Sequence, residues 1–89
     1  LEFRRVLFRS HYNLGYSYFK LKEYGEALNR FRQYVNLESN QQTPAYADAY
    51  NRIGDCLFHN RQFAMAEENY TRAAQLQPSA GDYRLRTGE

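Results

Sequence analysis

The chain has 89 residues, 43% hydrophobic and 17% aromatic, with nine Tyr, no Trp, one Cys and a formal charge of +2. That length holds at most one small domain with a modest core. The single Cys excludes an internal disulfide, and no apolar run approaches the ~20 residues of a membrane span. The net charge sits in the first ten residues, where Arg4, Arg5 and Arg9 stand against Glu2. The rest of the chain has nine basic and nine acidic side chains, a balance that leaves no basic face for nucleic acid. No stretch has the basic start, apolar run and small-residue cleavage site of a signal peptide.

Residues 1–10, LEFRRVLFRS, resemble the translated end of a widely used sequencing-library adapter. They are expected to be a non-native segment and are set apart from fold reasoning. Leu7 and Phe8 still continue an apolar stripe backward from the first helix. That helix is predicted over about residues 11–21, with Leu14 and Tyr18 facing its partner. Lys22-Glu23 is a turn, and a second helix follows over 24–37 with Ala27, Leu28, Phe31, Tyr34 and Val35 inward. ESNQQ, residues 38–42, is a polar loop without periodicity. Thr43-Pro44 opens the third helix, as an N-cap followed by a Pro at the first helical position. The third helix is expected over about 44–59 and the fourth over about 62–76, with Pro78 as its stop. Ser79-Ala80-Gly81-Asp82 reads as a capping box for another start. Residues 84–89 are either the frayed start of a further repeat or a sequence-end error.

Two stretches share one spacing. Tyr50, Ile53, Gly54 and Leu57 lie on one helical face, and Ala66 and Tyr70 follow at a spacing of four. His11, Leu14, Gly15 and Tyr18, then Ala27 and Phe31, repeat the pattern. Gly to Ala is 12 residues in both copies, and Tyr24 corresponds to Phe63. A Gly inside a helix costs about 1 kcal/mol relative to Ala, so Gly15 and Gly54 imply a neighbour too close for a Cβ. Ala66 is the small residue expected opposite Gly54.

This internal repeat resembles the tetratricopeptide repeat, W-x2-L-G-x2-Y…A-x3-F…P. Tyr50, Ile53, Leu57 and Tyr70 are conservative departures from it, whereas His11 and Ser39 stand at the Trp and Pro places of the first copy. The resemblance implies an all-α solenoid fragment of two helical hairpins, with repeats at 8–41 and 47–80. Residues 42–46 would be the loop and the start of the next helix, and 81–89 a truncated third repeat or frayed end. Gly15 to Gly54 is 39 residues, five more than the usual unit of 34, and the excess is placed at or near the 38–42 loop. The packing signature is then Leu14, Gly15, Tyr18, Ala27 and Phe31 in the first copy. In the second it is Tyr50, Ile53, Gly54, Leu57, Ala66, Tyr70, Ala73 and Pro78. The apolar side of Phe63, Ala66, Tyr70 and Ala73 is expected to stay partly open where another repeat would stack.

In this family the first helix of each pair lines a concave groove. By resemblance, Tyr12, Tyr16, Phe19 and Lys20 face it, joined by Asn51, Asp55, Phe58 and His59 with Asp48 and Arg52 alongside. The implied partners are a protein or peptide in the groove and neighbouring repeats of the parent chain. Tetratricopeptide domains that clamp a C-terminal carboxylate use Lys and Asn from these helices. Here Tyr12 and Tyr16 occupy the first Lys and Asn places and Asp55 adds repulsion, so that subtype is disfavoured. The groove instead suits aromatic or aliphatic anchors, or a basic residue near Asp48 and Asp55.

Chemistry finds little support. Cys56 and His59, three apart on one helix, are too few ligands for zinc without another Cys and with His11 distant. Glu67-Glu68 with Asp48 and Asp55 reads as solvated helix charge, and there is no phosphate loop or nucleophile elbow. The expectation is a protein-interaction or scaffolding module, not an enzyme, with no cofactor, nucleic acid or direct membrane insertion. The alternatives are structural spacer repeats of a longer solenoid and, less favoured, an accessory domain of an enzyme. The PSAGDY ending and Tyr-rich first helix resemble repeats of large bacterial envelope-associated proteins, which points toward the periplasm or outer membrane.

Overall fold

The computed structural model describes residues 2–76, with side chains from Arg9 onward. Four α-helices follow in order: α1 (Glu2–Lys20), α2 (Tyr24–Leu37), α3 (Pro44–His59) and α4 (Phe63–Leu76). α1 begins well before the expected start near residue 11. No Gly or Pro lies between Glu2 and Leu14, so nothing in that stretch stops a helix from continuing backward.

The two hairpin turns are copies of each other. Lys22 and Arg61 both adopt left-handed backbone, with φ of 64° and 66°. The Glu23 N–H bonds the Tyr18 carbonyl at 2.9 Å, and the Gln62 N–H bonds that of Leu57 at 2.9 Å. Lys22 N–H to Phe19 and Arg61 N–H to Phe58 complete the pattern at 3.0 and 2.9 Å. This is the Schellman closure, normally built on Gly. A side chain at that position costs about 1 kcal/mol, and it projects a cation from each turn.

The link from α2 to α3 is ordered by local side chains. Asn40 N–H bonds Glu38 Oε1 at 2.9 Å, and Gln42 N–H bonds Asn40 Oδ1 at 3.1 Å. Thr43 caps α3 by accepting the Tyr46 N–H at 3.2 Å, and Pro44 occupies the first turn. Most of the excess spacing is therefore helical: Pro44, Ala45 and Tyr46 form an added first turn of α3, with Tyr46 buried. Its ring meets Tyr50 edge-on at 5.3 Å.

The helices pack in chain order, α1 on α2, α2 on α3 and α3 on α4, a linear stack with its core around α2 and α3. Phe31, Ile53, Leu57 and Cys56 are its largest fully buried side chains. The helical glycines explain the pairing within each hairpin. A Cβ on Gly15 would stand 2.8 Å from the Phe31 ring, and one on Gly54 would stand 2.7 Å from the Tyr70 ring and 3.1 Å from the Ala66 carbonyl oxygen. The obstacle opposite each Gly is thus chiefly an aromatic ring, with the Ala66 backbone second.

Two expectations need correction. Leu14 is 39% exposed although its counterpart Ile53 is 2% exposed. α1 packs chiefly on α2, meeting α3 mainly through Tyr12, Tyr16 and Phe19, whereas α3 is packed against both α2 and α4. On α4, of the side expected to stay partly open, Phe63 is exposed and Tyr70 half-buried, but Ala66 and Ala73 are buried. Pro78, the Ser79–Asp82 capping box and residues 84–89 lie outside the described residues.

Candidate protein-interaction surface

α1 and α3 lie side by side across α2, and their facing side chains meet. The Tyr12 hydroxyl donates to Asp48 Oδ2 at 2.7 Å, and the Tyr16 hydroxyl donates to the same oxygen. Arg52 pairs with Asp55 at 3.3 Å and approaches Asp48 at 3.9 Å through its buried Nε. Asp55 in turn accepts the Tyr70 hydroxyl from α4. Phe19 lies under the Arg52 guanidinium, whose central carbon is 5.8 Å from the ring centroid. One network therefore gathers Tyr12, Tyr16, Phe19, Asp48, Arg52 and Asp55 and ties α1, α3 and α4 together.

The remaining residues expected on this face stand outside the network. Asn51 is half-buried with no hydrogen-bond partner among the described residues, and Lys20 is exposed. Phe58 is exposed at the end of α3. His59 stacks flat on Tyr24, with centroids 4.0 Å apart and planes at 5°. Sequence reasoning missed Tyr70 and Tyr24 as members of this surface. The signal for Tyr70 was its hydroxyl at a place where the resembling pattern has Phe, since a half-buried phenol seeks an acceptor.

Burial and the carboxylates govern titration here. Burial first, then the hydrogen bond to Asp48, pushes Tyr16 up to about 12 and Tyr12 higher still. Burial and then the bond to Asp55 raise Tyr70 in the same way. Burial alone would lower Arg52, but Asp55 and Asp48 outweigh it and hold the guanidinium charge more firmly. Burial, with Asp55 next, pushes the Cys56 thiol up to about 11, so it is held as a neutral thiol rather than a nucleophile. Among the described residues no three His, Cys, Asp or Glu side chains come together in a way that would hold a metal ion. Glu67 and Glu68 lie apart from Asp48 and Asp55, exposed along an open depression of about 450 Å³ on α4.

Two hairpins stacked in line, each built on a helical Gly under an aromatic ring and closed by the same turn, define a helical-repeat protein of the α-solenoid class. Models of the tetratricopeptide repeat match residues 8–41 and 47–80. The chain belongs to the tetratricopeptide repeat family. No curated protein and no solved structure matches it. The two matches leave out residues 42–46, which hold the Thr43 cap and the added turn with Tyr46. Repeats of this family generally mediate protein–protein interaction or scaffolding and are generally non-catalytic. No described helix is long and apolar enough to cross a membrane.

Proposed function

We propose that this chain is a non-catalytic protein-interaction module whose concave face, formed by α1 and α3, receives an extended peptide or partner segment. The observation that carries the reading is Asn51. Its side chain stands half-buried and without a hydrogen-bond partner among the described residues, on the face of α3 that carries Asp48 and Asp55, two turns before exposed Phe58. An unpaired amide offers a bound backbone both a donor and an acceptor, and an exposed ring two turns further along the same helix, about 10 Å away, offers an apolar anchor. The carboxylates are a poorer offer than their sequence positions suggested. Asp48 is occupied by Tyr12, Tyr16 and Arg52, and Asp55 by Arg52 and Tyr70, so a basic ligand residue would have to displace internal partners.

A random peptide display library panned against the chain tests this, with the selected peptide followed by amide chemical shifts. The expected result is shifts centred on Asn51, Phe19 and Phe58, and weaker binding by Asn51→Ala by about 1–2 kcal/mol. Shifts confined to α2 or α4 would overturn it. The spacer reading is favoured by one specific observation, the mutual saturation of Tyr12, Tyr16, Asp48, Arg52 and Asp55. It predicts that no peptide is retained.

A further inference from the structure

The two hairpins carry the same aromatic pair at corresponding places. Phe19, near the end of α1, meets Tyr24 edge-on with centroids 5.5 Å apart and planes at 76°. Thirty-nine residues further on, Phe58 meets Phe63 at 5.2 Å and 68°. What lies over the two pairs differs. The first is covered from α3: the Arg52 guanidinium sits over Phe19 at 5.8 Å, and the His59 ring stacks on Tyr24 at 4.0 Å. Among the described residues the second is open, with Phe58 52% and Phe63 54% exposed. The molecule thus holds its own template for what such a pair accepts. One helix supplies a guanidinium over the Phe and, seven residues later on the same face, a flat ring over its neighbour.

The surface beside the open pair specifies the helix further. Leu28 is half-buried on α2, but its counterpart on α4 is Glu67, which is exposed; Val35 is buried, and its counterpart is the smaller Ala74. Glu67 and Glu68 have no ion-pair partner among the described residues. A purely apolar helix laid here would bury an unpaired carboxylate, whereas a basic helix would neutralise it. Arg61, in the turn before Phe63, does not argue against a cationic guest. Lys22 holds the same place in the first hairpin, where Arg52 and His59 nonetheless sit over Phe19 and Tyr24.

We propose that the open Phe58–Phe63 edge, with Glu67, docks a basic amphipathic helix of a separate protein that presents a guanidinium and, seven residues on, a flat imidazole or aromatic ring. The site shares Phe58 with the groove reading but does not rest on it.

The probe is a stapled helix of about four turns in an Ala/Gln/Lys background, carrying Arg and His at that spacing. Fluorescence anisotropy measures its binding to the full chain, and NMR follows the ring protons of Phe58 and Phe63. Binding is expected to shift both rings and to weaken about tenfold or more when the peptide's Arg and His become Gln and Ala. That exchange leaves the protein itself unaltered. Phe58→Ala with Phe63→Ala removes two side chains that are more than half exposed and should weaken binding comparably. Glu67→Gln should flatten its salt dependence, and Asn51→Ala should leave it unchanged. Equal binding by the peptide lacking Arg and His, or no binding, overturns the proposal. Tighter binding by a helix with a plain Leu/Ala face means that the edge seats another repeat, and also overturns it. So does self-association in sedimentation that depends on Phe63 and is not competed by the probe, since a second copy is then the occupant.

Discussion

Gly54 shows how much one absent carbon decides. Adding a Cβ gains about 1 kcal/mol of helix propensity but drives it into the Tyr70 ring, which cannot swing aside while its hydroxyl is tied to Asp55. Gly54→Ala is therefore expected to be net destabilising, and Gly54→Leu to cost about 1–3 kcal/mol or more. At Gly25 an added Cβ would meet nothing within 4 Å and φ is not positive, so Gly25→Ala should gain about 0.5 kcal/mol. Thermal melts of the three variants check the signs, and a neutral Gly54→Leu would undo the account of the hairpin. The tyrosines make a second prediction. A phenol whose folded value lies above its unfolded value of about 10 contributes stability that is complete below that pH and lost as pH rises through the folded value. For Tyr16 the loss falls between about pH 10 and 12, and for Tyr12 and Tyr70 it extends higher. Tyrosinate absorbance and melting followed together should show that loss, and Asp48→Asn should narrow the window. Tyrosines that all ionise near 10 without loss of fold would contradict it.

At the scale of the helices, much was legible because the determinants are local. The Gly-to-Ala spacing, the Thr43-Pro44 start and the polar 38–42 segment each state their structure within a few residues. Thr43→Ala should accordingly cost about 1 kcal/mol, seen as a lower melting temperature, because it frees the Tyr46 N–H at the head of the added turn. What was not legible depends on residues far apart in the chain. That Asp48 would be claimed by Tyr12 and Tyr16 rests on the rotation of α1 against α3, separated by 32 to 36 residues. The exposure of Leu14 was hidden for the same reason: its spacing is that of Ile53, and only the order of the stack distinguishes them. The start of α1 falls earlier than expected because residues 2–10 carry no Gly or Pro to break a helix. A chain beginning at His11 should retain the circular-dichroism signal of α2, α3 and α4 and lose only that of the early turns of α1.

The whole molecule has little stability in reserve. Proteins hold about 0.05–0.15 kcal/mol per residue, which gives this chain roughly 4–13 kcal/mol. Phe31 is fully buried, fills the space over Gly15 and belongs to the core shared with α3. Phe31→Ala should cost about 3–5 kcal/mol and unfold both hairpins together, because α2 couples to α3 as well as to α1. Hydrogen exchange would show protection lost in α3 and α4 along with α1 and α2. Retention of protected α3 and α4 would mean that the hairpins are energetically independent.

The link from Tyr12 and Tyr16 to Asp48 also has a mechanical meaning. It joins the first and third helices directly, without passing through α2. The Arg30–His11 and Tyr70–Asp55 hydrogen bonds, by contrast, each stay within one hairpin. Flexing that separates α1 from α3 must stretch both phenol–carboxylate bonds. The pair of hairpins should therefore resist splaying of α1 from α3. Under tension along the stack, it should yield first where Asp48 lets go.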